Sequence, residues 1–257
     1  IVPLEGEKQN LIEKRRIGLG VMGYGSALLM MKVRYGSKKA LELTESLMKF
    51  ITNTAYKSSA LLAKEKGSFK LFDKEKYLKS NFVSKLDKDV IELIVKYGIR
   101  NSHLISIQPT GNTSVKANLV SGGLEPSFSI PGYIRTAMQP VIPDGMTIPE
   151  NIDWEGKTFK SAVTKWEWVK EGDEHLLLTY HNDKVWKYDR TRGLLKEEWI
   201  EDYAVTVLKS KKEWDTEANW AVSAMKLNVE DHVSTMKIFA NWVDSAISKT
   251  INLPNNY

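Results

Sequence analysis

A long helical pattern over residues 37–67 is the feature that most constrains how this chain can fold. Ser37 is a favourable N-cap and Gly67 a favourable stop. The pattern predicts a helix whose core-facing residues are Leu41, Leu47, Met48, Ile51, Ala55, Leu61 and Leu62. A second helix is predicted from Asp87 to Gly98, with these residues on one side: Val90, Ile91, Ile94 and Val95.

A short apolar run, residues 103–107, follows the second helix and predicts a buried strand. It leads into the loop Pro109-Thr110-Gly111-Asn112-Thr113-Ser114, and we expect a helix to begin at Thr113. The order helix, helix, strand, loop, helix is typical of an α/β fold with parallel strands. Upstream, four glycines within residues 15–25 permit close backbone approach and weaken any helix there.

The middle of the chain, residues 127–220, is irregular at first and then rich in tryptophan. It holds seven of the eight tryptophans, which we expect to pack a small subdomain rather than to stack bases. Residues 175–181 and 184–188, joined by two polar residues, predict a β-hairpin. We also expect helices over residues 197–209 and 229–248.

Composition excludes several classes of protein. The chain has 257 residues and no cysteine, which excludes a disulfide scaffold, a zinc–thiolate site and a cysteine nucleophile from this chain. No apolar run approaches the roughly 20 residues of a membrane span, so we expect no membrane association and a cytoplasmic location. Lys and Arg number 37 against 32 Asp and Glu. They are spread among the acids, so no nucleic-acid partner is expected.

The loop from Thr110 to Ser114 is the best local signal for chemistry. A helix N-terminus offers unpaired N–H groups, Gly111 allows close approach, and the loop carries three hydroxyls. The alternative is a capped turn in which Asn112 or Thr113 satisfies the helix end. The pattern alone favours that alternative, because the loop is not a phosphate-binding Walker sequence.

A second glycine motif, residues 121–126, predicts a tight turn at Gly122-Gly123. Glu125 is held extended by Pro126, and a buried Glu there could bond a ligand or orient the backbone. An ordinary turn is favoured on pattern alone. The histidines show no metal-ligand spacing, so no metal is predicted. We place His175 and His181 on the exposed face of the hairpin, and interpret His232 as a capping or core residue.

Taken in order, several stretches resemble the catalytic subunit of ribonucleotide reductase, in particular its adenosylcobalamin-dependent class. The similar stretches are residues 15–23, 34–37, 62–67, 97–103, 109–114, 121–126 and 245–254. Their order and approximate spacing over both ends of the chain carry the resemblance. Residues from about Val141 to Trp220 match poorly and are interpreted as a family-variable insertion.

The resemblance implies an α/β fold, namely the C-terminal portion of a ten-stranded α/β barrel with a tryptophan-rich insertion containing the hairpin. Residues 1–140 would hold barrel elements and the substrate-phosphate loop, residues 141–220 the insertion, and residues 221–257 a final helix and strand. The implied chemistry is reduction of ribonucleotides to deoxyribonucleotides by a protein thiyl radical.

The resemblance also implies site residues and partners. The phosphate loop would comprise Thr110, Gly111, Asn112, Thr113 and Ser114, with Glu125 and Pro126 supporting the site. The implied cofactor is adenosylcobalamin, whose contacts are not assigned to residues. The implied partners are a ribonucleotide substrate and an N-terminal half of the reductase that carries the catalytic cysteines, and the family also allows a homodimer.

The absence of cysteine departs from the family, because a thiyl radical needs a thiol. We therefore expect this chain to be inactive alone. We also expect it to be a segment of a longer protein or one part of a split subunit. Its start at Ile1 and its turn-type ending, residues 252–257, favour the same expectation. Whether the substrate is a diphosphate or a triphosphate stays open. The alternative function is a non-catalytic binding or assembly module derived from the barrel.

Overall fold

The computed structural model describes residues 3–253, and the chain divides into two compact units. The first unit is Ile1–Pro131 together with Asp202–Tyr257, and the second is Gly132–Glu201. The end of the family-like stretch 245–254 and most of the turn-type ending lie outside the described residues. No helix within residues 3–253 combines the length and the apolar character that a membrane crossing requires.

The first unit contains the helices, and the second contains the regular strands. The helices are α1 Glu5–Lys14, α2 Tyr24–Met30, α3 Lys38–Lys66, α4 Lys74–Leu78, α5 Lys88–Tyr97, α6 Gly111–Lys116, α7 Tyr203–Ser210 and α8 Val229–Asn241. The strands are β1 Tyr133–Met138, β2 Glu150–Asp153, β3 Thr158–Lys160, β4 Glu167–Glu171, β5 Glu174–His181, β6 Lys184–Asp189 and β7 Gly193–Ile200.

Helix α3 has the predicted span but a different buried face. The Ser37 hydroxyl accepts from the Ala40 N–H at 3.2 Å, and the helix ends at Gly67 with φ of 75°. Its buried residues are Ala40, Thr44, Met48, Thr52, Asn53, Tyr56, Ser59, Ala60 and Ala63. Of the predicted core residues only Met48 is fully buried, and Leu47 is 46% exposed. Small and polar side chains make up most of this face, and several of them form hydrogen bonds there, as Thr52 does with the Trp242 carbonyl at 2.9 Å.

Helix α5 confirms the second helical prediction. It follows Asp87 and ends at Gly98, where φ is 75°. Val90 and Ile94 are buried, whereas Val95 is 41% exposed. The predicted apolar side is therefore correct at Val90 and Ile94 and wrong at Val95.

Three extended segments lie parallel in the first unit: residues 17–20, 103–108 and 246–248. Isolated bridges join Leu19 to Ile105 and Ile107 to Ile247. The central segment is the buried strand that the sequence predicts, with Leu104, Ile105 and Ile107 at most 2% exposed. Helices around parallel extended segments are compatible with the α/β class. The sheets of the described residues are not closed, so a ten-stranded barrel is not seen in this chain.

The glycine-rich segment confirms the predicted close approach. A Cβ added to Gly18 would lie 2.4 Å from the Ser106 hydroxyl, and one added to Gly20 would lie 2.3 Å from the Ser106 carbonyl oxygen. No helix of the described residues runs through residues 15–23, as the glycine content predicts, and α2 begins only at Tyr24. Gly23 supplies the left-handed N-cap, and Gly25 lies inside the helix against the Glu125 carbonyl.

Two other predicted helices have different bounds. The helix expected over residues 197–209 begins only at Tyr203, because residues 197–200 pair with β1 as part of β7. The helix expected over residues 229–248 ends at Asn241, since Ile247 belongs to the third extended segment. In both places a long-range strand pairing overrides a local helical pattern.

The second unit is built on a five-stranded antiparallel sheet in the order β1-β7-β6-β5-β4. The predicted hairpin is confirmed as β5 and β6, with Asn182 and Asp183 at φ of 51° and 57° in the turn. Its core comprises Met146, Trp166, Leu177, Trp186 and Leu194. The placement of His175 and His181 on an exposed face is wrong, because both are half-buried on the strand face that carries Leu177.

The compact second unit, 132–201, overlaps the segment 141–220 that the sequence sets apart as the insertion, but it begins before residue 141 and ends before residue 220. Trp214 and Trp220 belong to the first unit, where they pack beside Leu29, Ala204 and Val205. Tryptophan content alone therefore does not mark where the second unit ends.

We predict that Asp244 is a main support of the central strand. Its carboxylate accepts from the Tyr56 hydroxyl at 2.6 Å, the Leu104 N–H at 2.8 Å and the Ile105 N–H at 2.9 Å. Asp244→Ala should lower the free energy of unfolding by about 3 kcal/mol or more, because it leaves buried donors unpaired. Tyr56→Phe removes one of the three bonds and should lower it by about 1–2 kcal/mol.

Urea unfolding followed by circular dichroism at the helical band measures this effect, because all described helices lie in the first unit. Equal losses for Asp244→Ala and Tyr56→Phe would contradict the role given to the backbone bonds.

We also predict an acid-sensitive turn in the second unit. Asp189 is buried and accepts from the Thr191 and Arg192 N–H groups at 2.8 and 2.9 Å and from the Arg192 guanidinium. Hydrogen bonds from the Arg192 side chain are the main cause that holds the pKa of Asp189 well below its usual range. A lowered folded-state pKa means that the stabilisation is complete above the unfolded value of about 3.9 and is lost as the pH falls below it.

Tryptophan fluorescence recorded from about pH 6 to pH 2 checks this prediction, since the loss should appear below about pH 4. Asp189→Asn should be less stable at pH 6 and should show a flatter pH dependence. An unchanged acid transition in Asp189→Asn would refute the assignment.

Candidate functional site

The predicted phosphate loop lies at the carboxyl end of the central strand segment, 103–108. Thr110 is the N-cap of α6 with a left-handed φ of 52°, and α6 begins at Gly111. The expectation that this helix begins at Thr113 is therefore wrong. The chain turns from strand to helix at the strand edge where parallel α/β folds bind ligands.

The backbone at the start of α6 is open. Gly111, Asn112 and Thr113 are all exposed, and a Cβ added to Gly111 would meet nothing within 4 Å. The N–H groups of these three residues bond no other group among residues 3–253, as is usual for a first helical turn. The loop therefore presents three adjacent donors to the space in front of the helix.

Two of the three loop hydroxyls hold the loop itself. The Thr110 hydroxyl oxygen accepts from the Gly123 N–H at 2.8 Å. The Ser114 hydroxyl donates to the Gly111 carbonyl at 2.9 Å, and Ser114 is buried. Thr113 is exposed, so its hydroxyl is the one available beside the free N–H groups. The capped-turn alternative with Asn112 or Thr113 as the cap is wrong, because the N-cap is Thr110.

The second glycine motif packs directly against this loop. A Cβ added to Gly122 would lie 2.5 Å from the Pro109 carbonyl oxygen, and one added to Gly123 would lie 2.6 Å from the Gln108 carbonyl oxygen. The Glu125 N–H closes the turn on the Gly122 carbonyl at 2.7 Å. The predicted tight turn is confirmed, and its lack of side chains lets it lie against the loop backbone and donate to the Thr110 hydroxyl.

Ser121 anchors the start of this motif to α2. The Ser121 N–H donates to the Ser26 hydroxyl at 2.8 Å, and the Ser26 hydroxyl donates to Asp202 at 2.9 Å. Asp202 is the buried N-cap of α7, and burial raises the pKa of its carboxyl. Sequence reasoning missed this support, although an Asp directly before a helical run is a recognisable N-cap signal.

Glu125 and Pro126 form the other end of the motif. The Glu125 carboxylate accepts from the Thr250 N–H at 2.7 Å and pairs with the Lys249 ammonium. Gly25 leaves room for this backbone, since a Cβ there would lie 2.8 Å from the Pro126 Cα. Of the two roles considered for Glu125, the contacts among the described residues are those of a group that orients the backbone.

Lys249 is a buried charge that sequence reasoning missed. Its side chain is 1% exposed, and its ammonium lies 5.8 Å from the centre of the Tyr35 ring. Burial lowers the pKa of Lys249, and Glu125 opposes that shift. The Tyr35 hydroxyl donates to the Leu124 carbonyl at 2.8 Å. The only sequence signal for Lys249 is its place within the family-like stretch 245–254.

His232 lies beside the same cluster. It is fully buried, and its ring centre is 6.1 Å from that of Tyr35. Burial lowers the pKa of its imidazole, and the Lys249 charge adds to that effect. The interpretation of His232 as a core residue is confirmed.

The described residues do not display a fit for adenosylcobalamin. Of the four histidines, His232 is fully buried, the His181 ring bonds the Asp144 carbonyl, the His103 ring bonds the Ser102 hydroxyl, and His175 is half-buried on β5. No group of three His, Asp or Glu within residues 3–253 is placed to hold a metal ion. We therefore derive no step through the cofactor on this chain.

Comparison with known proteins identifies the family that the chain matches. The family model of the ribonucleotide reductase barrel domain matches residues 1–257. A vitamin B12-dependent ribonucleoside-diphosphate reductase of Thermoplasma acidophilum is 28% identical over 98% of this chain and 26% of its own length. One of Mycobacterium tuberculosis is 33% identical over 45% of this chain and 14% of its own length.

A third relative is the ribonucleoside-diphosphate reductase subunit alpha of Helicobacter pylori, which is 27% identical over 64% of this chain and 24% of its own length. The chain spans at most about a quarter of the length of these curated relatives. The match over its whole length shows that the chain belongs to the ribonucleotide reductase family and corresponds to its barrel domain.

Proposed function

We propose that this chain supplies the substrate-phosphate loop of a ribonucleotide reductase. The observation that carries the proposal is the row of three unpaired N–H groups at Gly111, Asn112 and Thr113. These donors lie on an exposed turn at the carboxyl end of a buried parallel strand. Such donors suit the oxygens of a phosphate group.

Direct hydrogen bonds, more than a helix dipole, must hold the phosphates. Helix α6 has six residues, which is too short to build a large macrodipole. Thr113 can add a hydroxyl bond, while Thr110 and Ser114 keep the loop in shape through their internal bonds. The whole loop Thr110–Ser114 thus takes part in phosphate binding: residues 111–113 contact the phosphates, and Thr110 and Ser114 support the loop.

The chemistry proposed for the complete enzyme is reduction of the ribose 2′-carbon by a thiyl radical. A thiyl radical requires a cysteine, and this chain has none. We therefore propose that the radical cysteine and the reducing thiols come from an N-terminal half of the reductase, on the same longer polypeptide or on a partner chain. This chain's own part is to bind the nucleotide and orient it toward that half.

The names of the relatives guide the choice of substrate and cofactor. The Thermoplasma and Mycobacterium relatives are named vitamin B12-dependent ribonucleoside-diphosphate reductases. We accordingly propose a ribonucleoside diphosphate as substrate and adenosylcobalamin, when bound, as the source of the radical. The residues that would contact the cofactor are not assigned.

An exposed apolar groove gives the N-terminal half a surface to cover. The groove lies between α3 and the first extended segment, and Ile17, Leu19, Phe50, Ile51 and Leu62 contribute to its lining. Phe50 is 69% exposed, and Leu19 is 48% exposed. Burying such a patch is favourable by about 25 cal/mol for each Å² of apolar surface, so we propose that the missing barrel half packs here.

We predict that loop variants weaken phosphate binding by this chain. Titration calorimetry with cytidine diphosphate provides the measurement. Thr113→Ala should weaken binding by about tenfold, the value of one hydrogen bond to a charged group. Gly111→Val should weaken it further, because its side chain occupies the space that the phosphate needs. Ser114→Ala should also weaken binding, through loss of the bond that shapes the loop.

A matched control is Ser58→Ala, which removes an exposed serine hydroxyl that donates to the Thr54 carbonyl within α3, away from the loop. It should bind like the wild type. Unchanged affinity in both Gly111→Val and Thr113→Ala would reduce the loop to an ordinary turn and remove the main support for the proposed function.

We predict that the 257-residue chain has no reductase activity alone, because it lacks every thiol that the chemistry needs. Activity should appear when an N-terminal half containing the radical cysteine is added, with adenosylcobalamin and a dithiol. Phe50→Glu should weaken that complementation by opposing burial of the groove. Turnover by the isolated chain would refute the proposal, whereas nucleotide binding without complementation would favour the non-catalytic module.

A further inference from the structure

We propose that Lys249 is a positioning residue for the phosphate loop and acts on it through Glu125 and the Gly122-Gly123 turn. The inference rests on the proposed function of the loop and extends it to a residue that directly follows the third extended segment, residues 246–248. Among residues 3–253 the hydrogen bonds and the ion pair of the Lys249 ammonium go to Glu125 and Thr250 and not to the loop, so its influence must pass through the backbone that it holds in place.

The first link is the buried ion pair. The Lys249 side chain is 1% exposed and that of Glu125 is 23% exposed. Lys249 also donates to the Thr250 carbonyl at 2.7 Å, and the Thr250 N–H donates to Glu125 at 2.7 Å. The Glu125 carboxylate is thus held from two sides by one short stretch of chain. Removing one partner of such a pair leaves an uncompensated charge in the interior.

The second link is the Tyr35 ring. The Lys249 ammonium lies over this ring, 5.8 Å from its centre, which is a favourable cation–π distance. The Tyr35 hydroxyl bonds the Leu124 carbonyl at 2.8 Å. Lys249 and Tyr35 together therefore fix two successive residues, Leu124 and Glu125, at the end of the glycine turn.

The third link is the turn itself. The Glu125 N–H bonds the Gly122 carbonyl at 2.7 Å, and the Gly123 N–H bonds the Thr110 hydroxyl at 2.8 Å. The turn is so close to the strand end that a Cβ at Gly122 would lie 2.5 Å from the Pro109 carbonyl oxygen. A displacement of Glu125 must therefore be transmitted to Thr110, the residue from which α6 starts.

The experiment measures cytidine diphosphate affinity together with hydrogen exchange at the Gly123 amide in the 257-residue chain. Lys249→Met keeps most of the buried stem and removes the charge. It should weaken binding by at least about fivefold, because small misplacements of a binding group are costly. It should also accelerate exchange at Gly123, whose N–H loses its fixed partner. Lys57→Met, which breaks an exposed pair with Asp89, is the matched control and should change neither quantity.

A double-mutant cycle separates positioning from a general loss of stability. Glu125→Gln keeps an acceptor for the Thr250 N–H and removes the negative charge. The variant with both Lys249→Met and Glu125→Gln should bind better than the sum of the single losses allows, because no unpaired charge remains. Circular dichroism at the titration temperature verifies that each variant is folded.

Each outcome decides the matter. Weakened binding, faster Gly123 exchange and a non-additive double variant support the positioning role. Wild-type affinity and wild-type Gly123 exchange in Lys249→Met overturn it, even if Gly111→Val still abolishes binding and the proposed function stands. If the wild-type chain binds no cytidine diphosphate, the proposed function fails instead, and the Gly123 exchange alone decides whether Lys249 holds the turn.

Discussion

The hydrogen bond from the Gly123 N–H to the Thr110 hydroxyl is the contact on which the site depends. It joins two loops whose bonded residues lie 13 positions apart in the sequence. Each loop is also held by hydrogen bonds of its own. Thr110 adopts a left-handed conformation, which a residue with a side chain rarely takes without support. With Thr110 fixed, the next three N–H groups point out of the helix start as a set of donors.

The supports of this contact come from three parts of the first unit. Helix α2 holds Ser121 through Ser26, the Tyr35 hydroxyl holds Leu124, and Lys249 holds Glu125. Asp244 fixes the start of the strand that leads into the loop. The site is thus preorganised by buried polar contacts, which suits the proposed binding of an anion by backbone groups rather than by Lys or Arg.

Local signals in the sequence predict much of this arrangement, and long-range contacts account for the rest. Ser37, Gly67 and Gly98 mark helix ends because caps are local. The Asn182-Asp183 turn is equally local. The helix predicted over residues 197–209 is wrong because its first part pairs with a distant strand, a fact that no window of sequence contains.

In the candidate site, too, the local motifs can be predicted from the sequence and the long-range contacts cannot. The motifs 109–114 and 121–126 are visible in the sequence, but the bond that unites them is not. Neither is the proposed role of Lys249, which depends on a partner 124 positions away. The misjudged face of α3 has a related cause: the helical pattern predicts that Leu62 faces the core, whereas this side chain lines an open groove.

The most direct test of the central claim is a nuclear magnetic resonance titration of the ¹⁵N-labelled chain with pyrophosphate. The amide signals of Gly111, Asn112 and Thr113 should shift in a saturable way, with a common affinity. The Gly123 amide, already bonded to Thr110, should shift little. Saturable shifts at other amides with none at these three, or no saturable shift anywhere, would contradict the claim that this loop binds phosphate.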